Sequence, residues 1–107
     1  MLFRSLTTAN SNTAVGALAM KNNTAGGANT AVGNFALLGN TTGGDNTAIG
    51  FNALQSNTLG EGNTAVGIQA LLANLIGIEN TAVGSDALMY NTGDLNTATG
   101  SDRKSVV

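Results

Sequence analysis

The stretch Asn46-Thr47-Ala48-Ile49-Gly50-Phe51-Asn52-Ala53-Leu54-Gln55-Ser56-Asn57-Thr58-Leu59-Gly60-Glu61-Gly62 runs straight into Asn63-Thr64-Ala65-Val66-Gly67, where the same phrase begins again. Asn-Thr-Ala-(Val/Ile/Thr)-Gly starts at Asn12, Asn29, Asn46, Asn63, Asn80 and Asn96, in steps of 17 residues except the last, which is 16. A short fixed period is the mark of a solenoid: each repeat forms one coil, and each coil packs only on its neighbours. The missing residue falls just before Gly93, in a turn, where a deletion disturbs packing least.

Numbered from its Asn, the unit reads N-T-A-V-G-x-x-A-L-x-x-N-T-x-G-x-x. Thr and Val are β-branched and suit an extended chain, which Gly ends, so positions 2–4 read as a short strand. Alternation puts Thr13 and Val15 on one face and Ala14 and Gly16 on the other. Bulk favours Val15, Val32, Ile49, Val66 and Val83 as an inward stack, with the flat Ala/Gly side left for another chain to approach; the opposite assignment puts Ala inside a thin core. With the valines inward, Val66→Asp is expected to unfold the stack. Leu37, Leu54, Leu71 and Leu88 form a second apolar column. Asn23, Asn40, Asn57, Asn74 and Asn91 recur at position 12, where side-chain amides of stacked coils can bond to one another as in cross-β ladders.

Positions 6–11 leave two readings open. Segments such as Phe35-Ala36-Leu37-Leu38 and Gln69-Ala70-Leu71-Leu72 favour a helical turn by propensity, with the following Asn ending it in a left-handed conformation. A second extended strand is the competing reading. The fold class is therefore all-β: a parallel β-solenoid, or β-roll, of about six 17-residue coils, with or without a short helical turn per coil. At a strand spacing of ~4.8 Å, six coils make a rod of roughly 30 Å. Residues 1–11 read as a partial N-terminal coil, 12–100 as the solenoid and 101–107 as a tail, because Arg103 and Lys104 fall on core positions.

Composition narrows the function. The 107 residues hold no His and no Cys, which removes the usual general bases, thiolates and disulfides, and no cofactor or metal is expected. Of the acids, Asp45, Glu61 and Glu79 share the turn between repeats, which reads as a solvated face. Gly43-Gly44-Asp45-Asn46 resembles part of a glycine-aspartate nonapeptide calcium motif, but only once, and reads as an ordinary tight turn; no phosphate-loop or dinucleotide pattern occurs. Four basic residues make no stripe for a phosphate backbone, so nucleic acid is not an expected partner. No apolar run approaches a membrane span, and the start Met1-Leu2-Phe3-Arg4-Ser5-Leu6 is too short and polar for a secretory signal.

The Asn-Thr-Ala-Val-Gly block and the Ala-Leu pair resemble the repeats of trimeric autotransporter adhesin heads and of trimeric phage tail-fibre proteins. Thr stands where adhesin heads usually carry Ser, and the match is closer to the fibre type. The resemblance implies a left-handed parallel β-roll assembled as a homotrimer, located extracellularly on a cell surface or virion. The expected role is a non-enzymatic structural or adhesive module, with host contacts from variable positions such as Lys21, Asn34, Gln55, Gln69 and Tyr90. An oligomer also suits the small core; Ala14, Ala31, Ala48, Ala65 and Ala82, with Phe35, Phe51, Ile68, Leu75, Ile76 and Ile78, either supply its interface or complete the monomer core. The alternative is a flat ice-binding surface built on Thr13, Thr30, Thr47, Thr64, Thr81 and Thr97, if these face outward. A second Thr column, Thr24, Thr41, Thr58 and Thr92, is interrupted by Leu75.

Overall fold

The computed structural model describes residues 10–101. The partial coil expected over 1–11 and the tail with Arg103 and Lys104 lie wholly or largely outside the described residues. Each Thr-Ala-x triplet forms a three-residue strand: β1 Thr13–Val15, β2 Thr30–Val32, β3 Thr47–Ile49, β4 Thr64–Val66, β5 Thr81–Val83 and β6 Thr97–Thr99. They make one parallel sheet in chain order, paired residue on equivalent residue, so that Thr lies on Thr and Ala on Ala throughout. Each strand begins one turn of a β-solenoid, and the described residues span 36 × 22 × 17 Å.

The inward face of the sheet is alanine. Ala14, Ala31, Ala48, Ala65, Ala82 and Ala98 are buried, whereas Val15, Ile49 and Val83 are exposed and Val32 and Val66 half-buried. The inward placement of the Val/Ile column is therefore corrected: Val15, Val32, Ile49, Val66 and Val83 do stack in register, but on the outside. The flat Ala side, expected to meet another chain, is instead the wall of the core. The reason is space. The opposite wall already contributes Leu37, Leu54, Leu71 and Leu88, all fully buried, and a ring of 17 residues leaves room for only a methyl against them. It follows that Val66→Asp keeps the fold, with a loss of about 1 kcal/mol from poorer strand propensity. Ala65→Asp places an unpaired carboxylate in the core and unfolds the chain. Urea titration followed by far-ultraviolet circular dichroism separates the two.

Positions 6–11 are neither helix nor strand, and both expectations for them are corrected. They are successive tight turns. In the second coil Ala36, Leu38 and Asn40 donate their amides to the carbonyls of Gly33, Phe35 and Leu37, three residues back, at 3.2, 3.3 and 3.2 Å. The intervening amides of Phe35, Leu37 and Gly39 bond to Ala17, Ala53 and Gln55 of adjacent coils at 2.9–3.0 Å. Every amide from Phe35 to Asn40 thus has an acceptor. Phe35 and Leu37 lie at φ 65° and 50°, and the same two positions repeat this in the following coils. Side chains there cost roughly 1–2 kcal/mol each in backbone energy. The geometry breaks the alternation of an extended chain, so neighbours such as Ala36 and Leu37 both enter the core. Burying a Leu side chain contributes about 2 kcal/mol in return.

Asparagine completes the core. Asn40 Nδ2 donates to Asn23 Oδ1, Asn57 to Asn40 and Asn74 to Asn57, at 2.7, 2.8 and 2.9 Å, and each also donates to the glycine carbonyl three residues ahead. A second ladder runs through the first Asn of each repeat. There Oδ1 accepts the backbone amide of the next equivalent Asn at 2.8–2.9 Å, from Asn12 through to Asn96, while Nδ2 of Asn12, Asn29, Asn46, Asn63 and Asn80 donates to a glycine carbonyl. Burying these amides is tolerable because their donors and acceptors are matched. The shortened repeat shows in the first ladder: Asn91 Nδ2 bonds to Asn80 at 3.3 Å, crossing to the other column.

Candidate functional site

The outer face of the sheet is the most regular surface of the molecule. Thr at position 2 and Val, Ile or Thr at position 4 stand side by side on six in-register strands. The exposed fractions are 50% for Val15, 40% for Ile49 and 39% for Val83, too large for members of a monomer core. Phe51 and Ile68, two residues past their strands, extend the apolar strip and are about half exposed. Phe51 packs edge-on against Phe35 at 5.8 Å between ring centroids. Of the apolar residues left open between interface and core, Phe51, Ile68, Leu75, Ile76 and Ile78 are exposed and Phe35 is half-buried, so they do not complete the core.

The two threonine columns differ in chemistry. Oγ1 of Thr24, Thr41 and Thr58 donates to the position-13 carbonyl of the next coil, at 3.1–3.2 Å, which commits that column to holding coils together. Among the described residues the strand threonines Thr13, Thr30, Thr47, Thr64, Thr81 and Thr97 have no side-chain partner. Their hydroxyls face solvent beside β-branched methyl groups.

The remaining sequence-selected residues divide cleanly. Leu37, Leu54, Leu71 and Leu88, and Asn23, Asn40, Asn57, Asn74 and Asn91, are buried scaffold. Lys21, Asn34 and Tyr90 are exposed, and Gln55 and Gln69 half-buried; the repeat spreads them along the rod and does not gather them into one site. Asp45, Glu61 and Glu79 do come together, around an open cleft of about 160 Å³ that Gly62 and Ile78 also line. No group of three or more such side chains is placed to hold a metal ion among the described residues. Among the same residues no helix is long and apolar enough to cross a membrane. The position-1 asparagines were the functional scaffold least visible in the sequence, since a repeated Asn reads equally well as a turn residue. No family model, curated protein or solved structure matches this chain.

Proposed function

We propose that this chain is a non-enzymatic structural module, a segment of a trimeric surface adhesin or fibre, and that the Thr/Val face of its sheet is where copies of the chain meet. The supporting observation is the in-register Val/Ile column facing outward beside Phe51 and Ile68. A strip of this length, apolar and free of charge, is the kind of surface that self-association covers. A fibre segment also gains from identical coils, since a repeated face meets its copy at every level along the rod. On this reading the molecule acts outside the cell, as part of a cell surface or virion, and takes no cofactor. Light scattering on a size-exclusion column is expected to give about three times the 10.6 kDa chain mass. Ile49→Lys, which places an ammonium in the middle of the strip, is expected to reduce this to the monomer and leave the circular dichroism unchanged. A monomeric unmodified chain would contradict the assembly.

One observation favours a second reading. Unpartnered strand hydroxyls, repeated at the spacing of the coils and flanked by methyl groups, are suited to ordering water into a flat lattice, as an ice-binding surface does. Thermal hysteresis in a monomeric sample would select it; its absence would remove it.

A further inference from the structure

The coils are near-copies, so each serves as a reference for the others, and their departures from the pattern converge on one corner. At position 14 the first two coils carry Ala25 and Thr42, and the next two carry Leu59 and Ile76. Around Ile76 lie Leu75, where other coils have Thr, and Ile78, where the first two have Gly. Leu95 follows in the next coil. All five are exposed, from 41% for Ile78 to 69% for Leu95.

The backbone departs at the same place. In the first coil the amides of Thr24, Ala25 and Gly26 all point at the carbonyl of Thr41, at 3.0–3.2 Å, and the second coil repeats this on Thr58. The residue missing before Gly93 breaks the series. Among the described residues no acceptor meets the amides of Leu75, Ile76 and Gly77, and Asp94 Oδ1 takes the Ile78 amide at 2.8 Å. The charge distribution is the third departure. Asp45, Glu61, Glu79 and Asp94 all sit at positions 16 and 17 beside this patch, while the sole cation among the described residues, Lys21, is at position 10 of the first coil.

We infer that the corner formed by Leu75–Glu79, with Leu59 and Leu95 beside it, binds an extended segment of a partner protein that carries aliphatic side chains next to lysine or arginine. Aliphatic groups of the segment cover the exposed Leu/Ile patch, and its cations meet the carboxylates. A second copy of this corner fits badly, because it would set carboxylate against carboxylate. The uncharged sheet face offers those carboxylates no cation either. An anionic membrane is repelled for the same reason.

The probe is the peptide acetyl-Lys-Leu-Val-Lys-Val-Leu-Lys-amide, titrated into the chain in its native assembly and followed by amide NMR. Saturable shifts are expected at Leu75–Glu79, with binding about tenfold weaker for the same peptide carrying Glu in place of Lys. Ile76→Ser, and separately the Glu61→Gln/Glu79→Gln pair, should each weaken binding by about tenfold. Ile49→Lys on the sheet face should leave it unchanged, which separates this surface from the proposed assembly face. Absence of shifts at Leu75–Glu79 at about 1 mM peptide, a range that still detects weak complexes, would overturn the inference. So would an equal response to the Glu peptide, or shifts confined to the Thr/Val face.

Discussion

Gly60→Ala is expected to destabilise the rod by about 3–5 kcal/mol, although the change adds only one methyl group. A Cβ at Gly60 would stand 2.3 Å from Asn57 Oδ1, 2.5 Å from the Gly77 carbonyl and 3.0 Å from Asn63 Nδ2. Both asparagine ladders and the next coil therefore have to move together. The backbone at Gly60 is not in the left-handed region, so local propensity alone would make alanine the better residue. Gly62 provides the contrast. Its φ is +65°, yet a Cβ there meets nothing nearer than Glu79 Cγ at 3.5 Å. Gly62→Ala should cost only about 1 kcal/mol. Urea titration of both variants checks the ranking, and equal losses would mean that the position-15 glycines are conserved in the repeat for backbone freedom and not for close approach.

Asn57→Asp is expected to be as severe, at about 3–5 kcal/mol near neutral pH, with no change in side-chain size. Asn57 is fully buried, donates to Asn40 Oδ1 at 2.8 Å and to the Gly60 carbonyl at 3.0 Å, and accepts from Asn74 Nδ2 at 2.9 Å. A carboxylate can keep the last of these bonds. It faces two acceptors where it has no proton to give, and no cation is at hand. Burial and these acceptors raise the folded-state pKa of the introduced carboxyl above its unfolded value. The unfolded chain then binds fewer protons than the folded one between those two values, so stability rises as pH falls through the folded pKa. The penalty should accordingly shrink in mild acid, where the protonated carboxyl regains one donor. Asn22→Asp, on the exposed turn before Asn23, serves as the control and should stay within about 0.5 kcal/mol at either pH.

The strand was legible because Thr-Ala-Val-Gly carries its own start, alternation and stop, and the parallel register follows from identical coils. Which face turns inward was not legible. Hydrophobic ranking places Val above Ala, but the choice is made by volume across a ring whose far wall already brings in Leu37, Leu54, Leu71 and Leu88. The turn region misled for a related reason. Ala-Leu pairs carry helix propensity in isolation, yet stacked coils reward a backbone whose alternate amides reach the neighbours, even with Leu at φ near 50°. Asn was legible as a ladder at position 12. At position 1 the bond common to every step runs from a backbone amide to a side-chain oxygen, a pairing that only the superposition of coils reveals, and from Asn63 onward Nδ2 also reaches Oδ1 of the preceding equivalent Asn at 3.1–3.2 Å.

The same repetition bears on where the two proposed surfaces lie. Identical coils give an extended uniform face, and the proposed assembly uses that uniformity. Breaks in the pattern give a local surface instead. Leu75, Ile76, Ile78 and the missing residue before Gly93 sit together on one corner and leave the two buried asparagine columns almost intact. The rod thus carries variation on its outside while its polar spine stays constant.

Two ladders of buried side-chain amides hold the coils in register. The most direct measurement is hydrogen exchange of the asparagine side-chain amides, followed by NMR. Slow exchange is expected for Asn29, Asn40, Asn46, Asn57, Asn63 and Asn74, whose side chains are fully buried, and free exchange for Asn22 and Asn34 on the surface. Exchange of all these amides at the rate of a solvated side chain would contradict it.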